Sequence, residues 1–163
     1  MQEHMDNSRE TGDQYGQTYN IGHIICIKWG DLCTPEDVNR LYAMVRRNVH
    51  RHELRFYCFT DNSDGLHANI TALPIPEVRP SNQTAIKNIY RKLALCDDNL
   101  GGLNGQRVLF LDLDVLVINP LDDMLAYPRG DNFTIINDWH TPGTRVGQAS
   151  CFSWRVGTLG QIK

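Results

Sequence analysis

None of the five cysteines in this 163-residue sequence, Cys26, Cys33, Cys58, Cys96 and Cys151, stands in a CxxC pair, and their odd number excludes complete closure into disulfides. Reduced thiols are expected, with Cys26 and Cys58 inside the apolar runs IICI and FYCF behaving as small hydrophobes. No apolar run approaches the roughly 20 residues that a membrane-spanning helix needs, and the N-terminus lacks a charged-then-apolar leader. Neither charge is in excess: 16 Lys and Arg face 19 Asp and Glu, a net of -3, so no nucleic-acid partner held by phosphate neutralisation is expected. With 7 Pro, 13 Gly and no internal repeat, collagen, coiled coil and wholesale disorder are excluded. The expectation is one compact domain, cytoplasmic, with no transmembrane segment. On that reading the Asn-x-Ser/Thr sequons at Asn69, Asn82 and Asn132 carry no sugar.

Polar residues without apolar periodicity fill positions 1–20, which are expected to form a disordered tail, leaving 21–163 as the folded domain. Ile21 to Lys28 reads as a buried strand opening onto Trp29-Gly30-Asp31. Thr34 as N-cap, Pro35 at the first helical position, and Glu36 and Asp37 in the first turn start a helix whose apolar stripe is Val38, Leu41, Tyr42, Val45 and Val49. Leu54 to Thr60 and the weaker Ile70 to Ile75 read as strands. Ile86, Ile89, Tyr90 and Leu93 mark a second helix, ended by the Asn- and Gly-rich stretch from Asp97 to Gly105. Arg107 to Ile118, RVLFLDLDVLVI, reads as a central strand covered on both faces. A short helix over Pro120 to Tyr127 and strands over Phe133 to Ile136 and Ala149 to Val156 complete the pattern.

Strands alternating with helices predict an α/β fold with a mostly parallel central sheet, in which ligands bind beyond the carboxyl ends of the strands. The polar residues there are Lys28 to Asp31, Asp61-Asn62, Asp112 to Asp114 and Asn137 to His140. Asp112 and Asp114 are the sharpest signal. At i and i+2 of an extended chain two carboxylates face the same way, and in an apolar strand they repel unless a cation neutralises them. A divalent ion with hard oxygen ligands, Mg2+ or Mn2+, does so and also takes oxygens from a substrate diphosphate. A solvated strand end or an ion pair with a nearby Lys or Arg is the plain structural alternative.

The segment VLFLDLDVLVINPLDDML resembles the DxD region of nucleotide-sugar glycosyltransferases of the GT-A fold, and is most similar to the lipopolysaccharide galactosyltransferase and glycogenin-like group. Leu121, Asp122, Asp123, Met124 and Leu125 match the helical continuation seen in that group. The resemblance implies a Rossmann-like GT-A sandwich with a mostly parallel central sheet flanked by helices. It implies a nucleotide-diphosphate sugar as donor, foremost a uridine-diphosphate sugar, a glycan, lipid or protein as acceptor, and Mn2+ or Mg2+ as cofactor. A lipid acceptor would add peripheral contact with a membrane.

Carried over residue by residue, the resemblance implies that Asp114 coordinates the metal and that Asp112 meets the metal or the donor's ribose and sugar, with Leu113 between them in the donor site. Lys28, Trp29 and Gly30 resemble the loop that receives the nucleoside, with Trp29 stacking on the base or simply covering the sheet edge. Asp61 follows the strand that meets the base, although a Thr-Asp-Asn turn accounts for it as well. Lys92 resembles the basic residue that holds the diphosphate or sugar, against an ordinary solvated face shared with Lys87 and Arg91. Lys92 and Asp138 are the candidate catalytic groups, Asp138 meeting the donor sugar or an acceptor hydroxyl.

Ala149 departs from the Asn usual at its position, and the chain reaches Lys163 a few residues after its last predicted strand. Similar transferases continue there into acceptor contacts and a third metal ligand, commonly His, so the domain is expected to be incomplete at its C-terminus. Two other classes compete. One is a non-catalytic nucleotide-sugar-binding module. The other is a haloacid dehalogenase-like phosphohydrolase, in which Asp112 would attack phosphorus and Asp114 act as general acid.

Overall fold

The computed structural model describes residues 20–78, 88–127 and 133–159. Its elements in chain order are β1 (Asn20–Lys28), α1 (Pro35–Arg47), β2 (His52–Thr60), β3 (Ile70–Leu73), two 3-10 segments (Asn88–Cys96 and Leu100–Gly102), β4 (Arg107–Leu111), α2 (Asp122–Ala126), β5 (Thr134–Asn137) and β6 (Gly147–Arg155). The strands form one six-stranded sheet in the order β3-β2-β1-β4-β6-β5. The pairs β2–β3, β1–β2 and β1–β4 are parallel, and β6 runs antiparallel to both β4 and β5.

Side chains alternate across the sheet with the two-residue strand period, and both faces are apolar. Ile24 and Cys26 of β1, Phe56 and Cys58 of β2, and Leu109 and Leu111 of β4 pack with Val38, Leu41, Tyr42 and Val45 of α1. Ile25 and Ile27, Phe59, and Val108 and Phe110 fill the other face with Leu95, Leu100, Leu103 and Trp154. Sequence periodicity found the α1 stripe because each of those four residues is buried, a contribution of roughly 1.5–3 kcal/mol apiece. The helix starts where expected: Asp37 at the third helical position accepts hydrogen bonds from the Thr34 amide (2.8 Å) and hydroxyl (2.9 Å). Val49 lies past its end.

Gly22 lets α2 close onto the sheet: a Cβ there would sit 2.8 Å from Leu125 Cδ1 and 3.1 Å from His52 Cβ. The junction is fastened by Asp122. Its buried carboxylate accepts the backbone N–H of His50 (3.0 Å) and Arg51 (2.6 Å), and Nδ1–H of His52 (3.0 Å). Burial pushes its pKa up, but the His52 hydrogen bond and the Arg51 and His50 amides outweigh that and hold it at about 2.

Three expectations are corrected, and the mostly parallel sheet is found as expected. The strand expected over Arg107 to Ile118 ends at Leu111, and the chain turns at Leu113-Asp114. Beyond the turn Val115 and Val117 pack onto the α1 face while Leu116 and Ile118 are 78% and 80% exposed, so that stretch is covered on one side only. The α-helix expected around Ile89 to Leu93 is a 3-10 segment that buries Ala94 and Leu95 and leaves Leu93 exposed, because three residues per turn select a different face; Ile86 lies outside the described residues. The first strand begins at Asn20, inside the expected tail; residues 1–19 lie outside the described residues. The last strand is antiparallel and inserted between β4 and β5, an arrangement that hydropathy does not encode. Among the described residues no helix is long and apolar enough to cross a membrane.

Candidate functional site

The parallel strands β1, β2 and β4 all end on one edge, at Lys28, Thr60 and Leu111, and the candidate residues gather beyond it. Asp112 comes directly off β4, with its amide still bonded to the Ser150 carbonyl of β6 at 2.9 Å. The two carboxylates therefore leave from a turn, closed by Val115 N–H on the Asp112 carbonyl at 3.4 Å, and not from an extended strand. The turn resolves the like-charge problem that an apolar strand would pose: Asp114 is exposed to water, and the partly buried Asp112 receives Lys92 Nζ on Oδ2 at 2.6 Å.

Lys92 is aimed by the 3-10 segment. Residues three apart eclipse in such a helix, so the buried Leu95 anchors the side from which Lys92 crosses the Phe110 ring, 5.4 Å from its centroid. The same ammonium reaches the Ala149 carbonyl at 3.4 Å. Ala149 thus contributes through its backbone, a contact indifferent to the side chain whose absence the sequence flagged.

At the end of β1, Gly30 adopts φ +57, a conformation glycine takes without strain, and its N–H donates to Asp61 Oδ2 at 2.8 Å. That hydrogen bond lowers the Asp61 pKa, helped by the charges of Lys28 and Arg91. Lys28 is buried and lies 3.5 Å from the Gly30 carbonyl. Trp29 is half-buried against the core on the face that carries Phe59 and Phe110. Sequence reasoning passed over Cys33, whose thiol is pushed up by burial and then by the charges of Asp37 and Asp114, with Lys28 opposing and Asp112 adding.

Asp138 lies in the turn directly after β5. Its Oδ1 accepts the His140 amide at 3.0 Å and its Oδ2 the Thr141 hydroxyl at 3.1 Å, so it builds the turn after β5. The adjacent Trp139 instead lines a cleft of about 540 Å3 together with Asp114, Leu116, Ile118, Gln148 and Ser150. Its place among the strand-end candidates Asn137 to His140 was read from the sequence, whereas the β6 wall opposite it leaves no sign there. Among the described residues no three His, Cys, Asp or Glu side chains gather as a metal-binding group.

The sheet, with four parallel strands, an acidic turn after β4 and an antiparallel strand inserted beside it, is consistent with a GT-A-like glycosyltransferase fold. No protein-family model matches the chain, and no curated protein matches it in sequence. Among solved structures it is similar to the galactosyltransferase LgtC, determined in complex with donor and acceptor sugar analogs: TM-score 0.58, 18% identity, 85% of this chain and 59% of that one. It is also similar to the glycosyltransferase GlyE of Streptococcus pneumoniae TIGR4, in two structures with TM-score 0.53, at 12% and 13% identity. These cover 86% and 88% of this chain and 36% of GlyE. The chain thus spans little more than half of the galactosyltransferase and about a third of GlyE, and at these identities the likeness is one of fold.

Proposed function

We propose that this chain is the donor-binding part of a glycosyltransferase that takes a nucleotide-diphosphate sugar, foremost a uridine-diphosphate sugar, and passes the sugar to a glycan, lipid or protein acceptor. The observation that carries the reading is the Asp112-Leu113-Asp114 turn at the carboxyl end of the central strand, with the Lys92 ammonium beside it, in a sheet of GT-A order. The donor set fits Mg2+ or Mn2+: two carboxylates from one turn, one of them exposed, suit an ion that completes its shell with water and substrate phosphates. Asp114 and the unpaired oxygen of Asp112 would hold it. When bound, such an ion offsets the negative charge of a departing diphosphate.

The chain's own residues have complementary tasks. Lys92, and Lys28 at the end of β1, supply positive charge toward the same diphosphate as the anomeric carbon gains oxocarbenium character. Gly30 opens the β1 loop to close approach, and the Asp61 carboxylate fixes its amide. The open Trp139 cleft beside Asp114 offers an apolar surface next to the donor site. A second reading, a binding module without turnover, is favoured by Asp138, whose two oxygens are both engaged in its own turn and offer no ready base. The phosphohydrolase reading gains no support from the structural neighbours, which are glycosyltransferases.

The test is calorimetric titration of uridine-diphosphate sugars into the protein with and without Mn2+, repeated on Asp114→Ala. Mn2+-dependent binding, lost in the variant, is the expected result. A folded wild type that binds no sugar nucleotide would overturn the reading. Release of uridine diphosphate from the bound donor would separate the transferase from the binding module.

A further inference from the structure

The acidic turn already holds a cation. Lys92 Nζ lies 2.6 Å from Asp112 Oδ2, and the two side chains are only 30% and 19% exposed, so water screens the pair less than it would on an open surface. Both ends are tethered through the backbone. The Asp112 amide is held by the Ser150 carbonyl, and Lys92 hangs from a 3-10 segment anchored by the buried Ala94 and Leu95. What can move is the four-carbon lysine stem, whose ammonium is a compact point charge that forms equivalent bonds with carboxylate or phosphate oxygen.

A divalent ion brought to Asp112 meets a carboxylate whose charge is partly spent, and a positive group within a few ångströms. Asp112, Asp114 and Lys92 together carry a single negative charge, a poor match for a doubly charged ion. A diphosphate changes that balance, because it offers the ammonium another set of oxygens and leaves both carboxylates to the ion. We propose that Lys92 is a built-in competitor for the divalent cation at Asp112, released to the diphosphate when the donor arrives, so that metal and nucleotide enter as a pair. The inference rests on the donor-site reading above and adds an order of assembly to it. It makes Lys92 a positioning residue before donor arrives and a substrate contact afterwards.

The experiment is calorimetric titration of Mn2+ into the full chain without nucleotide, and of uridine diphosphate with Mn2+ present, for wild type, Lys92→Met and Lys92→Arg. Lys92→Met is expected to bind Mn2+ alone about tenfold more tightly than wild type, since charge competition of about this size accompanies a partly buried ion pair. The same variant should bind uridine diphosphate with Mn2+ at least about tenfold more weakly, whereas Lys92→Arg should stay within about threefold of wild type for the metal. In the wild type itself, acetylation of Lys92 by acetic anhydride, followed by mass spectrometry, should accelerate only when Mg2+ alone is raised to a concentration that outcompetes it, and slow again when uridine diphosphate is added. Equal or weaker Mn2+ affinity in Lys92→Met, or an acetylation rate indifferent to Mg2+, overturns the competition. If no form binds Mn2+ or uridine diphosphate, the donor-site reading falls and the competition with it; if the wild type binds both and Lys92→Met gains nothing, only the competition falls.

Discussion

Asp122 should be the costliest carboxylate in the fold to remove, and its contribution has a size and a pH signature. Its pKa is held at about 2 against an ordinary 3.8, which corresponds to about 2–3 kcal/mol of folding free energy. Substitution by Ala adds a second cost, because the amides of His50 and Arg51 and Nδ1–H of His52 lose their acceptor in a buried junction. Asp122→Ala is therefore expected to lose about 3–5 kcal/mol, and Asp122→Asn, which keeps one acceptor oxygen, about 1–2 kcal/mol. Urea denaturation at pH 7 measures both.

The pH arm follows from the sign of the shift. A carboxylate with a depressed folded pKa gives its full stabilisation above the unfolded value of 3.8 and loses it as pH falls through about 2. Wild type should show this loss between about pH 4 and pH 2. In Asp122→Ala that share of the acid sensitivity should be missing. An Ala variant within about 0.5 kcal/mol of wild type, or one with the same acid slope, would refute the assignment of Asp122 as the fastener of α2.

Other outcomes are expected from the same structure. Burial keeps the His23 pKa below its usual 6.5, with the Gln106 hydrogen bond opposing and Arg55 adding, so this residue favours the folded state at neutral pH and progressively less as pH falls below 6.5. His23→Gln should flatten the stability profile between about pH 5 and pH 7, measured by thermal melts in a buffer series, and an unchanged slope would exclude His23 as its source. Gly22→Val should push α2 off the sheet and cost about 1–3 kcal/mol in chemical denaturation, because its Cβ would meet Leu125 at 2.8 Å; a neutral effect would mean that the α2 contact yields freely.

How much of this was legible in the sequence depends on the kind of signal. β1, α1 and β2 carry uninterrupted local patterns, and the Thr34-Pro35 start of α1 and its four buried stripe residues emerge as read. The acidic pair was singled out as a candidate but placed in a longer strand, because Leu113, Val115 and Val117 alternate inward as strand residues do while the ladder that would continue the strand has ended. Lys92 was legible through resemblance, whereas its direct pairing with Asp112 depends on a 3-10 geometry that a 3.6-residue period cannot reveal. Asp138 was read as a candidate from its place after an apolar strand, and the structure adds that its oxygens accept the hydrogen bonds that close the turn it begins. The antiparallel insertion of β6 escaped notice because strand direction leaves no mark on hydropathy.

That inserted strand sets an order in which the charged turn is assembled. β4 and its acidic turn emerge from the ribosome before the residues that secure them, the Ser150 carbonyl on the Asp112 amide and the Ala149 carbonyl beside Lys92. A nascent chain that has made β1 to β4 carries both aspartates but not their clamp, and its unpaired β4 edge remains open until Cys151 lines up with Leu111. Completion of β6 thus couples closure of the β4 edge to the clamping of Asp112 and Lys92.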